Sequence, residues 1–109
     1  MRNQQQINEA LHQHLGEIFA RELEIPKDMF ITIRKVQITT DLSTAKIFIS
    51  VLPFPKLKEG IGFLVKNKNL IKKYLGPKIR HWRAMPDLRF VPDITEEEVS
   101  KVHNLIETL

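Results

Sequence analysis

The sequence predicts an α+β domain in which one three-stranded sheet is covered by helices on one face, in the order α-β-β-α-α-β with a further helix at the C-terminus. Three observations carry this. Two β-branched runs between Val36 and Ser50 meet at Asp41-Leu42-Ser43 and read as a hairpin. Apolar residues at helical spacing stand before and after it, and a short apolar run at Leu88 to Val91 supplies one more strand. At 109 residues the whole chain, 1–109, is expected to form one domain, since roughly 100–200 residues per domain is usual.

The elements follow in order. Ile7, Leu11, Leu15, Ile18, Phe19 and Leu23 recur at helical spacing, so a helix is expected from about Gln4 to Leu23, ended by Pro26. Phe30 to Thr40 reads as the first strand. Its apolar phase steps from Ile31 and Ile33 to Val36 and Ile38, an odd step that implies a bulge near Arg34-Lys35. Asp41 is suited to bond the backbone two residues on and hold the turn. Ala45, Ile47, Ile49 and Val51 line one face of the second strand, while Lys46, Phe48 and Leu52 share the other. That second face is more apolar than open solvent requires, so part of it is expected to be covered. Leu57 to Val65 suits a short helix weakened by Gly60 and Gly62, and Asn67-Lys68-Asn69 interrupts it. Leu70, Ile71, Tyr74, Leu75 and Ile79 form the next stripe, disturbed near its end by Gly76-Pro77. Thr95 to Glu98 forms a capping box for a last helix with Val99, Val102, Ile106 and Leu109 on its apolar face.

Charge is unevenly spread. From Lys56 to Arg89 there are ten Lys and Arg against Glu59 and Asp87, a balance of +8; the remainder holds seven basic and eleven acidic residues, a balance of −4. A concentrated positive field between acidic flanks fits a protein that meets a polyanion on one face, although a solvated lysine-rich helix has the same composition. Residues 66–80 are too polar for a membrane-surface helix. The chain has no cysteine, so neither disulfides nor thiolate metal sites hold the fold. No apolar run approaches a membrane span and the first residues lack the core of a signal peptide, so a soluble cytoplasmic protein is the expectation.

The run Val36-Gln-Ile-Thr-Thr-Asp-Leu-Ser-Thr-Ala-Lys-Ile-Phe-Ile-Ser50, followed by Pro86-Asp-Leu-Arg-Phe-Val-Pro-Asp93, resembles the ribosome-binding factor A family of bacteria. Its hairpin carries V-x-[VI]-[ST]-x-D-L-x-x-A-K-[VI]-[YF]-[VI]-S and its last strand P-[ED]-L-x-F-x-x-D. The resemblance runs from about Gln4 to Ile106 in the family's order of elements. It implies a type II KH-like fold without the Gly-x-x-Gly loop of ordinary KH domains, replaced by a helix–kink–helix that usually carries Ala-x-Gly. Here Asn67-Lys68-Asn69 stand at those positions, and asparagine tolerates left-handed backbone, so both Asn67 and Asn69 are expected to shape the kink. The resemblance further implies a monomeric, non-catalytic assembly factor, important for growth in the cold. It would bind the free 30S small ribosomal subunit or its precursor and promote late maturation, including processing of the 16S rRNA near its 5′ end.

The residues themselves suggest binding rather than catalysis. His12, His14, His81 and His103 are scattered without a metal-ligating spacing, the carboxylates sit at helix ends, and Gly60-Ile-Gly62 lacks the lysine that completes a phosphate loop. No catalytic residue, metal, cofactor or small-molecule substrate is therefore expected. Lys68 and Lys72, four apart on one helix face, suit phosphates, with Lys66 and Lys73 beside them. Asn67 and Asn69 suit ribose hydroxyls and base edges. Lys78, Arg80 and Arg83 form a second basic group around His81 and Trp82. Either ring is able to stack on an unpaired base, although for Trp82 the favoured reading is a core or rim residue packing against the last strand. Lys56 and Lys58 read as solubility charge, and Arg34, Lys35 and Lys46 as strand charges beside a cleft or guarding an edge. A general single-stranded RNA-binding module and a protein-interaction domain remain open as rivals to a ribosomal role.

Overall fold

The computed structural model describes residues 3–94 together with 98 and 99. Helix α1 spans Gln4–Arg21 and is opened by Asn3, whose side chain accepts from the Gln6 amide at 2.9 Å while the Gln6 side chain accepts from the Asn3 amide at 3.2 Å. This reciprocal cap satisfies two of the free amides at the helix start. The helix ends at Arg21, well before Pro26. Strand β1 (Phe30–Ile38) and strand β2 (Thr44–Leu52) pair antiparallel, and the register slips between Ile33 and Lys35. The slip places the bulge at Arg34, where the apolar phase changes in the sequence.

After a short 3₁₀ turn at Phe54–Lys56 come α2 (Leu57–Lys66) and α3 (Lys68–Leu75), a second 3₁₀ turn at Gly76–Ile79, and β3 (Asp87–Pro92). β3 pairs parallel with β2, from Thr44 opposite Asp87 to Ile49 opposite Pro92, so the sheet order is β1-β2-β3. This is the α-β-β-α-α-β order of a type II KH-like domain. The expected C-terminal helix over Val99, Val102, Ile106 and Leu109 lies outside the described residues, apart from 98 and 99.

β2 is the central strand, and its inner face of Ala45, Ile47 and Ile49 has no exposed surface. Leu11, Leu15 and Ile18 of α1, Leu64 of α2 and Ile71 and Leu75 of α3 close over the same face, with Leu88 of β3. Leu70 and Tyr74 pack only partly against this core. Gly60 is needed where α2 crosses β2: a Cβ there would stand 2.7 Å from Val51 Cγ2. The outer face is divided. Phe48 is half-buried, with the Lys35 ammonium 4.7 Å from its ring centroid. Phe30 and Leu52, opposite one another, are 73% and 61% exposed, so the expected cover on this face reaches Phe48 and stops short of Leu52.

Candidate nucleic-acid interface

No polar or charged residue among those described is buried in the core, so any site must be built on the surface. The basic third begins at the junction of α2 and α3, and a single residue makes the break. The Asn67 amide donates to the carbonyls of Phe63 and Leu64 at 3.1 and 3.2 Å, and its side-chain Nδ2 donates to Phe63 O at 2.8 Å. Its own carbonyl accepts from Ile71 at 3.0 Å, the first bond of α3. Asn67 thus closes one helix and opens the next. Its backbone is at φ −98° and ψ 13°, in the bridge region rather than the left-handed one expected from the sequence. Asn69 corrects the expectation further: it lies inside α3, exposed, and has no part in the break. The interrupted helix is real, but a side chain capping the preceding turn makes it.

Lys68 and Lys72 share a face of α3, as their spacing requires. Both ammonium groups approach the same oxygen, Asp87 Oδ1, at 3.9 Å. Arg89 Nε donates to the other oxygen, Oδ2, at 3.4 Å. Three cations therefore surround one carboxylate at the start of β3, a local excess of positive charge with its side chains partly immobilised. Asp87 and Arg89 count in the charge balance of the sequence, but nothing in their spacing assigns them to this cluster. The parallel register of β3 against β2 brings them there. Lys66 and Lys73 are exposed beside it, Lys73 with its ammonium 5.9 Å from the Tyr74 ring centroid.

The second basic group is dispersed. Lys78 turns to α1 and meets Glu17 at 3.4 Å; the hydrogen bond and charge of Lys78 hold the Glu17 carboxyl below its ordinary range. Arg80 and Arg83 are exposed on the loop leading to β3 and make no ion pair or hydrogen bond among the described residues. Trp82 is half-buried against the core, and its indole N–H donates to His81 Nε2 at 3.1 Å. Beside this loop stands the hairpin turn. Asp41 Oδ1 accepts from Thr39 Oγ1, Ser43 Oγ and the Ser43 amide at 2.7, 2.8 and 3.1 Å, as its place in the turn implies. These bonds, led by the Thr39 hydroxyl, lower the Asp41 carboxyl from its ordinary range. Left-handed backbone is found here: Leu42, at φ 62°, is the one non-glycine with positive φ among the described residues.

Other charges have structural partners. Lys56 binds Asp28 at 2.8 Å and Glu59 at 3.3 Å, which raises the lysine and lowers the Asp28 carboxyl, so it does more than add solubility. Lys35 and Lys46 lie on the outer sheet face, and Arg34 reaches Asp93 at 3.8 Å. Among the described residues no group of three or more His, Cys, Asp or Glu is placed to hold a metal ion. No helix among them is long and apolar enough to cross a membrane.

Comparison with known proteins gives one consistent result. The family described as Ribosome-binding factor A matches residues 3–106. A ribosome-binding factor A of Staphylococcus carnosus is 34% identical over 106 residues, covering 96% of this chain and 91% of that one. One from Chlorobium chlorochromatii is 32% identical over 107 residues, covering 96% and 85%. Among solved structures, the ribosome-binding factor A of Thermus thermophilus superposes with a TM-score of 0.70 at 20% identity, covering 84% of this chain and 97% of that one. A putative ribosome binding factor A of Thermotoga maritima superposes with a TM-score of 0.56 at 24% identity, covering 85% and 86%. A homology model of the Thermus thermophilus factor, fitted into a cryo-EM map of its complex with the 30S subunit, gives a TM-score of 0.64 at 22% identity, covering 75% of this chain and 86% of that one.

Proposed function

The chain belongs to the ribosome-binding factor A family, and from that premise we propose that it is a non-catalytic assembly factor of the small ribosomal subunit. Acting in the cytoplasm as a monomer of one domain, residues 1–109, it binds the free 30S subunit or its late precursor. There it promotes maturation of the subunit, including processing of the 16S rRNA near its 5′ end. The observation that carries this reading is the cationic face of α3, where Lys68 and Lys72 converge beside exposed Lys73. Phosphates answer to such a face because each contact releases condensed counterions. Lys66, Asn67, Asn69, Lys78, Arg80 and Arg83 extend the surface on either side. The choice of partner is supported by the Thermus thermophilus factor, a relative that has been fitted into a map of its complex with the 30S subunit.

The mechanism open to a binding protein is differential affinity. Holding one rRNA conformation more tightly than its competitors shifts their populations toward it, with no bond made or broken by the factor. A benefit in the cold follows, because misfolded RNA escapes slowly at low temperature. The test is sedimentation of the tagged protein with separated small subunits, large subunits and joined ribosomes, beside binding to short oligoribonucleotides. Enrichment with the small subunit over both other fractions is expected. Equal recovery in all three, or strong binding to naked oligonucleotides without subunit preference, overturns the reading in favour of a general RNA-binding module.

A further inference from the structure

We infer that the groove between the hairpin turn and the loop before β3 is a nucleobase pocket. In it an unpaired base of the bound RNA stacks on Trp82 beside Leu42, and Arg83 and Arg80 meet the flanking phosphates. This rests on the RNA-binding reading above and gives it a second contact of different chemistry. The groove has two adjoining lobes of about 540 and 550 Å³, and Thr40, Leu42, Trp82 and Arg83 line both. Ile7 and Met85 supply apolar surface at its two ends.

Three features fit a base. Trp82 already spends its indole N–H on His81 Nε2, which fixes the ring and meets it edge-on with centroids 6.3 Å apart. What the indole still offers a ligand is its π-face, and every base has a π-face of its own. Leu42 holds an aliphatic side chain on the groove wall at φ 62°, where glycine or asparagine would be relaxed. The bonds from Asp41 to Thr39 and Ser43 keep the turn in that shape, and an outlier so maintained points to function at the turn. Among the described residues the two guanidinium groups have no acidic partner, in contrast to Lys68, Lys72 and Lys78. Asp41, the carboxylate on the rim, directs one oxygen into its own turn.

The groove also adjoins the lysine face. The Asp87 amide donates to Ser43 O at 2.8 Å, so the backbone of the residue whose carboxylate gathers Lys68 and Lys72 is bonded to the turn that forms the groove wall. An RNA strand crossing α3 is thereby led to Arg83. An arginine on the groove wall and a flat ring suit a nucleotide better than an apolar peptide side chain, which has no use for the guanidinium group.

Trp82 is the sole tryptophan of the chain, so its fluorescence reports on this groove alone. A short unstructured oligoribonucleotide is titrated into the wild-type protein, in parallel with an abasic ribose-phosphate strand of equal length. Saturable quenching by the first and none by the second is expected. Trp82→Leu should lose about 5- to 150-fold in affinity for the base-containing strand, the range that stacking one base supplies. Its affinity for the abasic strand should be unchanged, and Trp82→Phe should restore most of the loss. The quenching experiment needs no variant, so misfolding of Trp82→Leu does not blunt it. Equal, salt-dependent affinity for both strands without quenching overturns the pocket and leaves the small-subunit reading standing. Loss of subunit binding by folded Trp82→Leu, with no optical response to any oligonucleotide, assigns the groove to a ribosomal protein and also overturns it. Failure of the wild-type protein to sediment with small subunits is the separate result that removes the reading beneath.

Discussion

A methyl group added at Gly60 would meet Val51 Cγ2 at 2.7 Å and Cγ1 at 3.1 Å, whereas one added at Gly62 meets nothing within 4 Å. Both glycines lie inside α2, where each costs helix stability relative to alanine. Gly62→Ala should therefore stabilise the protein by about 0.5–1 kcal/mol. Gly60→Ala should destabilise it by about 1–3 kcal/mol, because valine is stiff at χ1 and the helix itself must retreat. Thermal melts of the two variants are expected to move in opposite directions, and a shared direction would refute the close crossing of α2 over β2. Asp41 gives a prediction in pH. Its hydrogen bonds depress the folded carboxyl below its unfolded value, so its contribution is present above the ordinary aspartate range and is lost as pH falls through the folded value. Asp41→Asn keeps an acceptor but removes the titration, and the melting temperature should fall less between ~pH 7 and ~pH 3 than in the wild type. Glu17 and Asp28 are lowered by Lys78 and Lys56, so a residual acid dependence remains in the variant. Identical acid profiles would uncouple the turn from the Asp41 charge.

At the scale of elements, the central strand was the most legible part of the sequence. The alternation of Ala45, Ile47 and Ile49 assigned the inner face, and the phase jump after Ile33 located the bulge, because both follow from the two-residue period of a strand. Ile47→Ala should cost about 2–5 kcal/mol through reduced burial and the cavity left behind, and circular dichroism melts measure it. An unchanged midpoint would mean that the buried face of β2 is misassigned. The break between α2 and α3 was legible as an interruption but not as a conformation, since an asparagine serves left-handed backbone or a side-chain bond to the preceding turn alike, and here its Nδ2 returns to Phe63 O. The polar side of α1 was not legible at all. Gln4, Asn8 and His12, four residues apart, look like a solvent face, yet they serve the edge strand β1. Gln4 Nε2 donates to Ile38 O at 2.8 Å, Asn8 Oδ1 accepts from the Ile38 amide at 2.8 Å, and His12 Nε2 lies 3.1 Å from Ile33 O. Unpaired edge groups carry no mark in sequence, so the helix that satisfies them is recognised only once docked.

Over the whole molecule the charge divides into a +8 third and a −4 remainder, and the candidate site was legible as a charge imbalance before it was legible as a place. Spacing gave the shared face of Lys68 and Lys72; their convergence on Asp87, and the diversion of Lys78 to Glu17, needed the parallel β3 and the docking of α1. Reversing Lys68, Lys72 and Lys73 to Glu should leave the fold standing, because none of the three is buried and the partly exposed pairs of Lys68 and Lys72 with Asp87 are each worth about 0–1 kcal/mol. Affinity for the small subunit should drop steeply, and the slope of log affinity against log salt should shallow by about 0.7–0.9 for each phosphate no longer neutralised. Wild-type affinity in the triple variant would remove α3 from the interface. Asp87 gives this surface a further property. The carboxylate stands as a tethered counterion 3.9 Å from both lysines, so on the proposed reading capturing a phosphate there is an exchange in which the chain's own anion is the outgoing party. The same anion stands ready to return at every fluctuation of the complex, which lowers the barrier to departure. Asp87→Asn should thus prolong residence on the small subunit, with dissociation slowed roughly two- to five-fold for a gain of about 0.5–1 kcal/mol. Chase of labelled protein from subunits by unlabelled protein measures it. On the proposed reading, in which the factor leaves the subunit once maturation is complete, carrying its own eluent serves that departure.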